Sequence, residues 1–254
     1  MTLAISGVGV MLAAIGFIGG IGITAVGPGG VLPTIGLFAL TDLSPAEVAG
    51  TSIVTHIATG VLATAAYARS GQLREPETRR TAWLLVLSAL VGTPLGALIN
   101  GYVSERAFGV VLGVIVAVVA ALVLYQDRRQ GRAVRPHPRA GAVVVLGVTV
   151  AVLAGIVGIG GPMLTVPLLV VLGVPLLESL AAAQAQSIVI ASTGTVAYVA
   201  NGSVDWALAV LIGIPELAGV LLGWKLARSL PTRSLKIALV VTLLALAPYL
   251  ALRT

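Results

Sequence analysis

The sequence predicts an all-α polytopic membrane protein, built from two inverted-topology repeats of about five helical segments each, with short or broken helices at glycine-rich motifs. Three observations lead there. The residues are 58% hydrophobic and only 9% charged, whereas a soluble domain is about 25% charged. The charges cluster between apolar stretches of bilayer-spanning length. The glycine-rich stretch Val26–Thr34 recurs at Val157–Thr165.

Each predicted repeat contains five apolar segments, which are continuously apolar and therefore favour helices over a β-barrel. In the first repeat they span about 4–25, 30–41, 46–68, 82–101 and 105–125, and in the second about 141–157, 161–173, 178–200, 206–224 and 235–252. Since about 20 residues are needed to cross a bilayer, we expect the second segment of each repeat to cross incompletely or to re-enter.

The repeat itself follows from a constant spacing. We call the separation in sequence between Gly29 and Gly160 the repeat spacing. Residues with this same separation are identical at several further positions: Val26/Val157, Gly27/Gly158, Gly30/Gly161, Thr34/Thr165, Glu47/Glu178, Thr64/Thr195, Tyr67/Tyr198 and Gly71/Gly202. The first copy then carries an extra hydrophilic stretch, "REPETRR", after which Pro94 is paired with Pro215. The predicted units are repeat 1 at 1–126, a basic linker at 127–139 and repeat 2 at 140–254.

Basic residues predict the orientation of the repeats, because cytoplasmic loops are enriched in Lys and Arg. Three basic regions are assigned to the cytoplasm: the loop with Arg69, Arg74, Arg79 and Arg80, the linker with its five arginines, and the loop with Lys225, Arg228, Arg233 and Lys236. The stretch "ANGSVDW" (200–206) has no base and is assigned outside. The third segment then ends inside in one repeat and outside in the other, so the repeats are inverted and both termini lie outside the cytoplasm.

The composition also disfavours several function classes. The net charge of +6 is better explained by cytoplasmic loops than by nucleic-acid binding. The absence of cysteine rules out disulfides and thiolate metal sites, and His56 and His137 lack zinc-site spacing. The start "MTLAISGVGV" lacks the basic region of a cleavable signal peptide. We predict no enzyme activity, no catalytic residues, no metal and no cofactor.

The glycine motifs allow three interpretations. A nucleotide-binding loop requires flanking strands, and a P-loop also requires a Gly-Lys-Ser/Thr sequence; neither is found here. Close helix packing is a stronger alternative. In the third interpretation each break exposes amide groups at a helix N-terminus, which attracts anions. It makes Gly29, Gly30, Gly160 and Gly161 candidate substrate-binding residues.

The third segment of each repeat supplies polar side chains. Glu47, after Ser44 and Pro45, fits a capping box, and we interpret Glu47 and Glu178 as helix-start residues. Polar groups at membrane depth either join helices or line a site, and joining helices is the stronger interpretation for serine and threonine alone. The candidate site residues are Thr51, Ser52, Thr55 and His56 in the first copy and Gln184, Gln186 and Ser187 in the second.

Two ionisable residues, His56 and Glu216, are predicted to lie deep in the membrane. Such residues are usually functional, and an imidazole exchanges protons near neutral pH. Both are therefore candidates for carrying a coupling proton. The alternative is a neutral, hydrogen-bonded structural role.

With these motifs in view, the chain resembles the TauE/SafE family of membrane proteins over nearly its whole length. The motifs are "GPGG" (Gly27–Gly30) with "VLPTIGLF" and "AGTS", then "GIGG" (Gly158–Gly161) with "PMLTVPLL" and "YVANGSVDW". Family members usually have a further glycine where Val31 and Pro162 stand here. The resemblance implies a secondary transporter that exports small sulfur-containing anions, such as sulfite, sulfoacetate or other organosulfonates.

Together these observations predict an exporter that binds its anion between two opposed helix N-termini at the membrane midplane. One repeat would rock or slide against the other. A passive anion channel of the same architecture is the alternative. The expected location is the inner (cytoplasmic) membrane, with multiple spans. The expected partners are the anion and the lipid bilayer, without nucleic acid; a homodimer is left open.

Overall fold

The computed structural model describes residues 7–128 and 138–229, and every secondary-structure element among them is a helix. Seven of these helices are long and apolar enough to cross a membrane, which confirms the predicted all-α membrane class. Most of the linker at 127–139, the predicted tenth segment at 235–252 and the bases Arg233 and Lys236 lie outside the described residues. The helices are α1 (Gly7–Ala25), α2 (Val31–Leu40), α3 (Pro45–Arg69), α4 (Pro76–Asn100), α5 (Glu105–Arg128), α6 (Ala140–Val157), α7 (Pro162–Val171), α8 (Leu176–Ala200) and α9 (Trp206–Ser229).

The predicted helix-start glutamates both lie in a first turn. The Ser44 hydroxyl accepts a hydrogen bond from the Glu47 amide, and the Glu47 carboxylate accepts one from the Ser44 amide at 2.9 Å. This capping box confirms the prediction for α3. Helix α8 begins without a side-chain cap from the described residues. Its Glu178 instead accepts a hydrogen bond from the Thr78 hydroxyl of α4 at 2.9 Å.

Helix α4 begins earlier than the apolar segment that predicted it. The segment starts at about residue 82, whereas the helix starts at Pro76, because proline is compatible with a first helical position. Most of the hydrophilic stretch "REPETRR" is therefore helical, and the Glu77 carboxylate lies 3.6 Å from the Arg80 guanidinium within it. Hydropathy detects only the apolar part of a helix that continues beyond it.

Helices α2 and α7 have ten residues each. At 1.5 Å per residue such a helix is about 15 Å long, about half the hydrocarbon thickness, so neither crosses the membrane alone. Helix α2 folds back along α1, since Pro33 lies beside Gly19 and Gly36 beside Ile15. The first two segments therefore form a hairpin whose second arm is half a span.

The central helices α3 and α8 run antiparallel. Gly60 packs against Ile188, whereas Ile53, earlier in α3, packs against Gly194 later in α8. These helices are the third segments of the two predicted repeats.

Glycines create two close helix pairs, α1 with α9 and α4 with α6. The glycines face the partner's backbone carbonyls in these contacts: Gly219 with Phe17, Gly223 with Ile21, Gly92 with Val148 and Gly96 with Val152. A Cβ at these positions would meet the partner's main chain, as in close helix packing within membranes. Residue numbers rise together on both partners, so each pair is parallel. Each pair also joins a helix from one predicted repeat with a helix from the other.

These contacts change one detail of the repeat alignment. Gly92 and Gly219 have the same role, as do Gly96 and Gly223, and the two pairs have the same separation along the chain. We call this separation the packing-glycine spacing. The alignment of Pro94 with Pro215 from the sequence has a different separation between the paired residues. A close backbone approach constrains a glycine more strictly than a membrane helix constrains a proline, so the glycines are the better guide.

Further contacts show in which direction the other long helices run. Helices α1, α3 and α9 run one way, and α4, α6 and α8 run the other. The pairs that establish the remaining directions are Thr51 with Asp205 and His56 with Glu216 between α3 and α9, and Thr78 with Glu178 and Thr93 with Gly194 between α4 and α8.

Two buried tyrosines make matching hydrogen bonds. The Tyr67 hydroxyl donates to the Thr24 carbonyl at 2.8 Å, and the Tyr198 hydroxyl donates to the Gly155 carbonyl at 2.6 Å. Both the donors and the acceptors are separated by the repeat spacing. Each bond ties the end of a third segment to the end of a first segment.

Candidate functional site

The two glycine-rich motifs, Gly27–Gly30 and Gly158–Gly161, each interrupt a pair of helices, and we call them the first and the second break. The two breaks lie on opposite sides of one histidine. A Cβ at Gly30 would lie 3.3 Å from Cε1 of His56, and a Cβ at Gly160 would lie 3.5 Å from its Cδ2 and Cγ. The imidazole therefore lies between the breaks. Each break also contains a glycine with positive φ, Gly27 at 107° and Gly158 at 72°, a conformation that side chains disfavour.

His56 also connects the first break to helix α9. Its Nε2–H donates to the Gly30 carbonyl at 3.1 Å, and its Nδ1 lies 3.3 Å from Oε1 of Glu216. The imidazole is 1% exposed and the carboxylate 0%. Neither Glu216 oxygen accepts a hydrogen bond from a described residue, so His56 is this carboxylate's ionic partner in the described part of the chain.

A small cavity lies beside the histidine, with room for about one water molecule. Its polar wall comprises Gly27, Gly30, His56, Thr59, Gly160 and Ser187, and its apolar wall comprises Ile23, Pro162 and Met163. Both predicted repeats contribute to each wall. The cavity therefore lies where the two breaks converge.

The second break contains two amide groups at a helix start, and one of them belongs to the cavity-lining residue Gly160. Gly160 and Gly161 are buried, and neither amide N–H donates a hydrogen bond to a described residue. Helix α7 begins immediately after them with Pro162, so both amides lie at a helix N-terminus. Buried amides without a partner are rare, and amides in this position are suited to an anion.

The first break presents different chemistry. Its Gly30 carbonyl accepts from His56, and Gly29 packs against Gly19 and Gly22 of α1 rather than against the cavity. The two motifs are thus similar in sequence, yet one offers a carbonyl occupied by a histidine and the other offers amides.

Of the predicted site residues, Gly30, His56, Gly160 and Ser187 are brought together around the cavity. Gln184 is adjacent, because its Nε2 donates to the carbonyl of the lining residue Ile23 at 3.2 Å. Its buried Oε1 has no hydrogen-bond partner among the described residues.

The other predicted residues lie elsewhere. The Thr51 hydroxyl accepts a hydrogen bond from the Asp205 amide, Ser52 contacts Thr34, and Thr55 donates to its own helix. Gln186 accepts from Thr165 at 2.6 Å and donates to the Gly147 carbonyl at 3.3 Å, and Gly161 faces Gln186. These contacts fit the helix-joining interpretation, and any part these residues take in binding stays a prediction.

Sequence reasoning did not predict several members of the cavity wall. Thr59 follows Thr55 on the polar face of α3, and that helical spacing was the available signal. Ile23 and Met163 gave none, because apolar residues are ubiquitous in this chain. No group of three or more His, Cys, Asp or Glu that could hold a metal occurs in the described ranges, 7–128 and 138–229.

Comparison with known families gives a match over nearly the whole chain. The family model described as "Sulfite exporter TauE/SafE" matches residues 12–250. Comparison with curated proteins and with solved structures gives no match.

Proposed function

Since this chain belongs to the TauE/SafE sulfite exporter family, a family of membrane transporters, we propose that it is a secondary transporter exporting small sulfur-containing anions. Sulfite, sulfoacetate and other organosulfonates are the proposed substrates. The proposed location is the cytoplasmic membrane, with the end of α3, the start of α4 and their connection, which together carry Arg69, Arg74, Arg79 and Arg80, on the cytoplasmic side. Transport, rather than catalysis, is the proposed activity.

One observation carries the proposed site: the buried amides of Gly160 and Gly161 at the start of α7, which have no partner among the described residues. Gly160 borders the cavity between the breaks, where Ser187 and the His56 imidazole complete a polar wall, and Gly161 follows it directly before α7. Oxyanions accept hydrogen bonds from such amides without requiring a lysine or arginine in the membrane. In its present size the cavity must widen to admit a sulfonate group.

The inverted repeat is part of the proposal, with repeats at 1–126 and 140–254. Three features of the fold support it. Helices α3 and α8 run antiparallel, α1 and α6 run in opposite directions, and the tyrosine hydrogen bonds match at the repeat spacing. Inverted repeats commonly place a substrate site at their interface near the midplane.

The close helix pairs alter the motion expected for alternating access. Rocking of one repeat against the other would separate α1 from α9 and α4 from α6, whose backbones touch through glycines. We therefore assign the moving bodies to bundles that combine both repeats, one built on α1 and α9 and the other on α4 and α6.

Blocking the cavity with a methyl group tests the site. In Gly160→Ala the new Cβ would lie 3.0 Å from the Ser187 hydroxyl and 3.5 Å from the His56 ring. We expect uptake of labelled sulfoacetate into proteoliposomes to fall about tenfold, the size of a modest overpacking penalty.

Gly141→Ala is the matched control, since a Cβ there has no described atom within 4 Å. Its uptake should equal that of the unmodified protein. Normal uptake by Gly160→Ala would contradict the assigned site. Preloading the vesicles with unlabelled sulfoacetate separates the alternatives: a carrier shows counterflow and saturation, and a passive channel does not.

A further inference from the structure

We propose that His56 and Glu216 together hold one exchangeable proton, and that the anion binds tightly only while they hold it. Proton and anion then cross the membrane in the same direction. This inference rests on the proposed function and identifies the coupling ion of the same site.

The contacts of the imidazole determine the number of protons. The Gly30 carbonyl can only accept, so the Nε2 of His56 must carry a hydrogen. On the other side of the ring, Nδ1 lies 3.3 Å from Oε1 of Glu216, the distance of an ion pair, so one further proton on either group neutralises the charge of the carboxylate. With that proton the pair is neutral overall, as imidazolium and carboxylate or as imidazole and carboxylic acid. When the proton leaves to water, a neutral imidazole and a carboxylate remain, with a net charge of −1.

The surroundings of the pair make that charge expensive. Both side chains are almost completely buried, and neither carboxylate oxygen accepts a hydrogen bond from a described residue. A buried charge without partners costs far more than a paired one. The deprotonated pair therefore has little within the described chain to stabilise it.

Within the described ranges, the ion pair that Glu216 makes is the one with His56. The helices α1, α2, α6 and α7 contain no titratable side chain. The other titratable residues described on the helices packed around His56 belong to positions toward the helix ends: Glu47, Tyr67 and Arg69 on α3, Glu178 and Tyr198 on α8, and Lys225 on α9. Both tyrosine hydroxyls donate to backbone carbonyls.

The shared histidine couples the proton to the anion. The His56 ring faces Gly160 on one side and Glu216 on the other, so the proposed anion and the carboxylate lie on either side of one imidazole. A net charge of −1 on the pair would repel an anion across this short distance, and the low dielectric of the interior strengthens the repulsion. Binding of the anion is therefore linked to occupancy by the proton.

Calorimetry with methanesulfonate tests the linkage in the purified full-length protein. This anion is a strong acid's conjugate base, so it does not itself titrate near neutral pH. We expect its Kd to be constant at acid pH and to rise toward about tenfold per pH unit once the free pair loses its proton. In that range, titrations in buffers of different ionisation enthalpy should show uptake of one proton per anion.

Two glutamine substitutions sharpen the test. Glu216→Gln keeps the shape but replaces the carboxylate by a neutral amide, so the pair can no longer acquire a net charge of −1 and the Kd should lose its tenfold rise per pH unit. Glu178→Gln, the matched control at the start of α8, should retain the pH slope of the unmodified protein. In proteoliposomes, an outward sulfonate gradient should carry protons outward with the unmodified protein and with Glu178→Gln, but not with Glu216→Gln.

The outcomes are distinguishable. Absence of methanesulfonate, sulfite and sulfoacetate binding at every pH would reject the proposed function and this inference with it. Binding with the same Kd at every pH and no proton uptake would reject the inference and leave the function intact. A pH slope that persists in Glu216→Gln would also reject it. If Glu216→Gln does not fold, the proton uptake of the unmodified protein decides the matter.

Discussion

Two residues of the polar wall, His56 and Ser187, differ in chemistry although they occupy matching places in the chain. His56 and Ser187 are separated by the repeat spacing, and both line the cavity. Glu216, behind His56, matches Ala89 at the packing-glycine spacing of α4 and α9, and both are fully buried. The comparison teaches that close packing and helix breaks occur twice in the described chain, whereas the ion pair occurs on one side only. In the proposed repeat, the scaffold is duplicated and the proton chemistry is not.

The largest effect is expected from placing serine at both of the matching positions 56 and 187. His56→Ser leaves the Glu216 carboxylate buried without its ionic partner, and breaking such a pair costs about 3–5 kcal/mol of folding free energy. The double variant His56→Ser/Glu216→Ala removes both charges and should recover most of that loss. Thermal unfolding in detergent measures both. A double variant no more stable than His56→Ser would show that the pair is not the unit we describe.

A smaller effect is expected from the breaks themselves. Gly158 has positive φ, and a Cβ there would meet the main chain of Ala49, whereas a Cβ at Gly27 would meet only the Val166 side chain, at 3.0 Å. A side chain can shift more easily than a backbone. We expect Gly158→Ala to cost about 2–4 kcal/mol and Gly27→Ala about 1–3 kcal/mol, measured by the same unfolding assay. The reverse order would mean that the first break is the more rigid one.

The smallest effect is expected from the matching tyrosines. Tyr67→Phe and Tyr198→Phe each remove one buried hydrogen bond to a carbonyl, at a cost of about 1–2 kcal/mol. Thermal unfolding of the two variants compares the losses directly. Equal losses would support the equivalence of the two halves at this position. Clearly unequal losses of unfolding free energy would contradict this equivalence. They would also indicate which of the two hydrogen bonds contributes more to stability.

Much of the fold could be predicted because membrane helices leave direct marks in a sequence. Apolar length identified the spans, and the spacing between Gly29 and Gly160 identified the matching breaks. The capping box at Ser44 fixed the start of α3. The start of α4 at Pro76 was missed, because its first turns are hydrophilic and carry no apolar signal.

The site was less predictable, because it depends on how helices are rotated about their axes. Sequence placed His56 and Glu216 deep in the membrane, but it did not place them in contact. Their contact depends on the position and rotation of α9, which the close backbone approach to α1 at Gly20, Gly219 and Gly223 determines. The sequence analysis assigned Gln186 to the candidate site, likewise without knowing the rotation of α8 about its axis. In the structure it hydrogen-bonds Thr165 and Gly147 rather than lining the cavity.

The pairing of α1 with α9 has a consequence for how the chain is made. Helix α1 enters the bilayer early in synthesis, whereas the glycines that receive it, Gly219 and Gly223, are translated near the end of the described chain. Helix α1 must therefore persist in lipid, with its own glycine face uncovered, until α9 has been translated. A nascent chain truncated before α9 leaves α1 without its partner, and insertion of α9 becomes the step that completes this pair.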